Sequence, residues 1–167
     1  VREAVGDLCA IACPGASFDS LWMAFHDFRR LFRGQFEGYV GCDTLYHDQQ
    51  HSLDVTLAVA RLLAGYQQSC AVADRLGVER TVTGLVCALF HDSGYIGRTA
   101  ERTRNGAEFT PCHIARGAEF LVSYLPRIGL GTSVAVARQI VHFTGYEVSF
   151  DDIELDDPRD SLVGHLL

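Results

Sequence analysis

The sequence predicts an all-α protein. Apolar residues recur at three- and four-residue spacing over most of its length, and glycines, prolines and capping residues punctuate it at helix-length intervals. No stretch alternates polar and apolar side chains as a half-buried strand would, and no internal repeat is visible. At 167 residues, 48% of them hydrophobic, the chain can bury one sizeable core. No linker or shift in composition divides it, so residues 1–167 are expected to form a single domain.

Ser17 can cap a helix whose apolar positions Phe18, Leu21, Trp22, Phe25, Phe28 and Phe32 keep that spacing, and Gly34 ends it. The stripe reads as core. A second amphipathic stretch runs from about Asp48 to Gln67, and a third from about Glu79 to Phe90, followed by Gly94 and Gly97, which mark a loop. Pro111 suits the first position of a fourth helix reaching Tyr124 and stopped by Pro126. Thr132 can cap a fifth, Ser133 to Phe143. The acidic stretch Asp151 to Pro158 leads to a terminal helix starting near Arg159. The chain reads as stopping inside that helix, so the domain is expected to be truncated at its C-terminus.

The longest apolar stretches are broken by charge or glycine well short of the ~18–20 residues of a membrane span, and the acidic N-terminal residues do not read as a signal peptide. A soluble, cytoplasmic protein with no membrane partner is therefore expected. A net charge of −7 with no lysine at all argues against a DNA or RNA groove, which needs a basic patch. A small phosphorylated substrate stays compatible, because a bound cation neutralises its charge locally. The six cysteines (Cys9, Cys13, Cys42, Cys70, Cys87 and Cys112) form no C-x-x-C pair and read as reduced thiols, several in apolar helical surroundings. Cys9 and Cys13 could share one helix face near a metal.

The chemistry gathers in two fragments: Tyr46-His47-Asp48-Gln49-Gln50-His51-Ser52-Leu53-Asp54-Val55, and the doublet His91-Asp92 ending the apolar run Leu85-Val86-Cys87-Ala88-Leu89-Phe90. Imidazole nitrogen and carboxylate oxygen side by side suit a transition-metal or magnesium-type centre, and a histidine from another helix supplies the next ligand. At about 3.6 residues per turn, His47, His51 and Asp54 are expected to project from one side of the second helix. Five histidines (His47, His51, His91, His113 and His142) fall on that face or near helix ends, where they could converge in a bundle core. His26 and His165 read as structural.

The combination of H-x-x-x-H-S-x-D-V on one helix and His-Asp ending a later one resembles the HD-domain superfamily of metal-dependent phosphohydrolases, and the first motif is similar to that of cyclic-nucleotide phosphodiesterases. The resemblance covers Tyr46 to the C-terminus. It implies an HD-domain helical bundle in which His51, His91 and Asp92 are metal ligands, Asp92 is able to bridge two ions, and His47 protonates the leaving oxygen. His113 and His142 are similar to the added ligands of two-metal HD proteins. Phosphodiesterases have asparagine where this chain has Asp48, and follow the doublet with histidine and proline where it has Ser93-Gly94. The double histidine and Gly-Tyr-Pro signature of the HD-GYP group are absent, with Thr144-Gly145-Tyr146 in their place, which argues against cyclic dinucleotides. HD proteins also close the primary site with a late-helix carboxylate, which the resemblance places past Leu167. Asp160, in the first turn of the terminal helix, reads as favouring the helix dipole.

One or two divalent ions are implied: iron, manganese or zinc because histidines dominate, with magnesium as an added second ion. The residue types permit in-line attack of water on phosphorus, since a metal lowers the pKa of bound water from about 15.7 toward ~7 and a second ion ~3.5–4 Å away would clamp the phosphoryl oxygens. His47 as imidazolium could protonate the departing alkoxide, Asp54 could accept the other ring N–H of His51, and Arg98 and Arg116 could grip phosphate. Hydrolysis of a phosphoester in a nucleotide or cyclic nucleotide is the expected reaction. The alternative is a regulatory HD module that binds metal and nucleotide without turnover. The spacing of His47 and His51 also matches a zinc-protease helix, but that chemistry needs glutamate at the second position and leaves His91-Asp92 unexplained.

Overall fold

The computed structural model describes the whole chain, Val1–Leu167, as seven α-helices joined by loops and short 3-10 turns, with no strand. They are α1 (Arg2–Ala12), α2 (Asp19–Phe32), α3 (Gln49–Ser69), α4 (Gly77–Phe90), α5 (His113–Tyr124), α6 (Val134–Ile140) and α7 (Pro158–Leu166). No helix is long and apolar enough to cross a membrane.

α4 is the axis of the bundle. Every residue from Thr81 to Phe90 is buried, as expected of a helix that others surround. α2, α3, α5, α6 and α7 all pack on it, and α1 lies against α3. At its C-terminal end Phe90 meets Phe28, Phe120 and Tyr124 with ring centroids 5.8, 5.1 and 5.0 Å away, in the tilted and edge geometries aromatic pairs favour. His91 and Asp92, which follow directly, are thereby fixed in the interior.

Several elements depart from the sequence reading for local reasons. α1 buries Val5, Cys9 and Ala12 at helical spacing, but no side chain caps it and Gly6, inside it, is a poor helix former, so its start carries no signal. α3 begins only at Gln49, because the Asp48 carboxylate accepts the His51 N–H at 2.8 Å and acts as N-cap. His47 therefore lies before the helix and not on its face. The fourth expected helix divides into a 3-10 turn, Gly106–Cys112, with Pro111 inside it, and α5. The fifth is α6 followed by a 3-10 turn, Val141–Thr144. Thr132 and Ser133 donate their hydroxyls to Glu79 at 2.7 and 2.9 Å instead of capping it.

Two further segments position the site. The turn after the doublet is no surface loop: Ser93 to Gly97 are buried, and a Cβ on Gly94 would overlap the His113 carbonyl, so α5 sits directly on it. Between α2 and α3 the chain returns as a strap. Gly34 and Gly41, at φ 67° and 90°, lie back to back, a Cβ on either coming within 2.7 or 2.8 Å of the other turn's backbone. The strap is tied to the doublet's exit by Val40 N–H to Gly97 O at 3.0 Å and Thr99 N–H to Gly38 O at 2.9 Å. It delivers His47 to the end of α4.

Candidate metal centre

Strap, α3 and α4 converge on one carboxylate oxygen. Asp92 Oδ2 lies 2.8 Å from His47 Nδ1, 3.1 Å from His91 Nε2 and 3.3 Å from His51 Nε2. Asp92 itself is 2% exposed. The ligand atoms of His47, His51 and Asp92 all lie within 4.8 Å of one another, so this group could hold a metal ion. His91 stands beside that group, facing Asp92 from the end of α4.

Burial alone would raise the Asp92 pKa, but the His91 and His47 imidazoles that face it outweigh this and hold the carboxyl down to about 2. His51 moves the other way: burial lowers its pKa against the pull of Asp92. An ionised carboxylate thus faces an imidazole held toward its neutral form, the state in which a nitrogen lone pair can ligate.

His91 makes the donor set specific. Its Nδ1 donates to the Ala88 carbonyl at 2.8 Å, since that oxygen can only accept. In the neutral ring Nε2 is then an acceptor facing an acceptor at 3.1 Å, a contact that needs a proton or a cation between the two atoms. A backbone carbonyl orienting the far nitrogen is how ligating histidines are commonly held. The residues present could hold a metal ion.

His47 is held differently. Its Nδ1 donates to the ionised Asp92, and its Nε2 has no partner in the protein. The ring stacks on Tyr95 at 4.3 Å and 17°, and Tyr95 stacks in turn on His113 at 4.3 Å and 25°. Tyr46, 70% exposed, covers the solvent side, its ring centroid 5.1 and 5.0 Å from those of His47 and His51. His47 and Tyr95 also line a cleft of about 300 Å³ between the strap and the Gly106–Cys112 turn.

The remaining expected site residues have other partners. His113 and His142 do not join the group. His113 Nδ1 donates to Thr110 O at 2.8 Å, and His142 Nδ1 is buried without a partner. Glu147 accepts the Ile114 and Ala115 N–H groups at 2.7 and 2.9 Å, capping α5, and lies 3.5 Å from His113. Arg116 binds Glu101 through both terminal nitrogens, at 2.9 and 2.8 Å, and donates to the Gly94 and Ile96 carbonyls, clamping the segment after the doublet. Arg98 pairs with Glu119 at 2.8 Å. Asp54 accepts from Gln50 at 2.8 Å on the exposed face of α3, not from His51. Asp160 accepts from Arg80 Nε at 2.6 Å near the N-terminal end of α4, the far end of that helix from the doublet. The carboxylate expected past Leu167 lies outside the described residues. Cys9 and Cys13 are core residues, with Cys13 beside Gln67 and Thr81.

Tyr95, packed against the site, and Glu147, at the neighbouring start of α5, are not legible in the sequence. Neither belongs to a motif, and a ring that works by stacking leaves no spacing in the sequence. Comparison with family models, with curated proteins and with solved structures finds no match for this chain.

Proposed function

We propose that the chain is a metal-dependent phosphohydrolase of the HD type, in which His51, His91 and Asp92 hold a divalent ion and His47 is the proton donor. The observation that carries this reading is the meeting of three imidazoles on one buried carboxylate oxygen, beside a cleft that His47 also lines. Histidine-rich ligation favours iron, manganese or zinc. When bound, such an ion supplies Lewis acidity to a phosphoryl oxygen and makes water a usable nucleophile near neutral pH.

The chain's own residues supply the rest. His91 is oriented through Ala88, which supports its role as a ligand, and His47 Nε2 has no partner in the protein, which supports its role as a proton carrier. In the reaction a water oxygen bonds to phosphorus as the P–O bond to the organic group breaks, and the proton the water sheds passes to solvent, from which His47 is recharged. The departing alkoxide takes its proton from His47 Nε2, and Asp92 at Nδ1 stabilises the imidazolium that gives it. Tyr95, stacked on the ring, holds its plane.

The test is metal analysis of the purified protein, followed by phosphate or nucleoside monophosphate release from nucleotides and cyclic nucleotides with added Mn²⁺, Fe²⁺ or Zn²⁺. Stoichiometric metal and chelator-sensitive release are expected. Metal and nucleotide binding without release would favour the regulatory module instead.

A further inference from the structure

The walls of the cleft beside His47 have their polar groups engaged with one another. Asp43 accepts from the Gly106 N–H at 2.9 Å and from Asn105 Nδ2 at 3.3 Å, and Asn105 Oδ1 accepts the Ala107 N–H at 2.9 Å. The Thr44 and Thr110 hydroxyls donate to the His47 and Ala107 carbonyls at 2.8 and 2.7 Å. What faces a ligand, apart from His47, is the apolar and aromatic surface of Leu45, Tyr46 and Ala107, since the Tyr95 ring is already stacked against His47 and His113. Leu45 is 100% exposed, so a large apolar side chain stands uncovered at the mouth of a polar centre.

No arginine lines this cleft. Arg98, Arg104 and Arg116, on the neighbouring segments, pair with Glu119, Glu108 and Glu101, and Arg102 is exposed outside it. A phosphate chain laid along the cleft would lose water and meet Asp43 with no arginine to compensate and only His47 as a cation, at one end. A volume of about 300 Å³ is at the small end of ligand pockets.

We infer that the ester this site hydrolyses carries a single phosphate group, and that the rest of the substrate is an uncharged, flat aromatic group of nucleobase size seated against Leu45 and Tyr46. The inference rests on the phosphohydrolase reading above and sharpens it: recognition is by stacking and shape, and polyphosphates are excluded for want of arginines along the cleft. The balance of the reaction is one water consumed, one P–O ester bond broken, one alcohol and one phosphate formed, or, from a cyclic diester, one ring-opened monophosphate.

The experiment measures kcat/KM with Mn²⁺-loaded protein on the 5′-mono-, di- and triphosphates and the 3′,5′-cyclic monophosphates of the four common deoxynucleosides, and on 2-deoxyribose 5-phosphate, which has the phosphate without the base. At least one single-phosphate compound is expected to exceed the matching di- and triphosphate, and the base-free sugar phosphate, by about tenfold or more. Leu45→Arg, at a fully exposed position where folding is not at stake, is expected to narrow the monophosphate-to-triphosphate ratio by about tenfold. Tyr46→Ala is expected to raise KM for the base-bearing substrate. A triphosphate hydrolysed as well as its monophosphate, or a base-free phosphate hydrolysed as well as a nucleotide, overturns the inference and leaves the phosphohydrolase reading standing. No release from any compound overturns that reading itself.

Discussion

The two ends of α4 each bury a carboxylate, and they compensate it in different ways. Toward the N-terminal end Asp160, 7% exposed, accepts from Arg80 Nε at 2.6 Å, and Arg80 reaches Asp157 at 2.8 Å with its next nitrogen. At the C-terminal end Asp92, 2% exposed, meets three imidazoles and no arginine. A guanidinium is always charged, so the first pair is complete within the protein. Imidazoles titrate near neutrality and offer lone pairs, so the second arrangement is conditional: it is closed by protons or by a cation. The geometry of compensation, more than the depth of burial, separates a structural ion pair from a group that could hold a metal ion.

Substituting each carboxylate in turn is the strongest way to break this comparison. Asp92→Ala is expected to abolish metal binding and lower phosphoester turnover by about 10³-fold or more. Asp160→Asn is expected to keep full metal content and to cost roughly 1–3 kcal/mol in denaturant unfolding, since Arg80 keeps Asp157 and is itself partly exposed. Metal loss in the Asp160 variant would erase the distinction between the two ends.

His47 tests the division inside the centre. His47→Gln is expected to retain metal and reduce kcat by ~10²–10⁴-fold, with the least loss for substrates whose leaving group needs no proton. Loss of metal with the ring would make His47 a ligand, as its closeness to His51 and Asp92 also allows.

The centre of α4 and the strap beside it show what the sequence could and could not reveal. The apolar run from Leu85 to Phe90, ended by His91-Asp92, announces a buried helix with chemistry at its tip, because burial and period are written locally. The four-residue spacing of His47 and His51 predicts a shared helix face, but the helix starts after Asp48 and leaves His47 outside it. That aspartate is itself an N-cap signal, and it would have started the helix one residue later. The arginines were beyond reach: Arg116 and Arg98 find their carboxylates 15 and 21 residues away, through turns that only the packed bundle defines.

Arg116 sharpens the comparison from the clamp side. Hydrogen bonds from Arg116, then from the Arg98 N–H, hold the Glu101 carboxyl at about 2, below its ordinary 4.5. This contribution to stability is present above pH 4.5 and is lost as the pH falls toward 2. Arg116→Gln is expected to cost about 1–3 kcal/mol at neutral pH, to flatten the acid dependence in that window, and to leave KM for a phosphorylated substrate unchanged. A selective rise in KM with stability intact would return Arg116 to the substrate.

The smallest effect is expected at His142, which lies outside both carboxylate sites. Its Nδ1 is buried without a partner, and burial lowers its pKa below the ordinary 6.5. The fold therefore accommodates the neutral ring, and the unfolded chain takes up the proton first as the pH drops. Stability from this residue is full above pH 6.5 and declines below it. His142→Leu removes both the orphaned nitrogen and the titration, so unfolding free energy at pH 7.5 is expected to stay level or rise by up to about 1 kcal/mol, with a shallower decline into acid. Metal content is expected to remain one ion per chain in parent and variant alike. Two ions in the parent and one in the variant would instead make the orphaned nitrogen a ligand, with His113 and Glu147 beside it, and the boundary drawn here around Asp92 would have to be moved outward to include them.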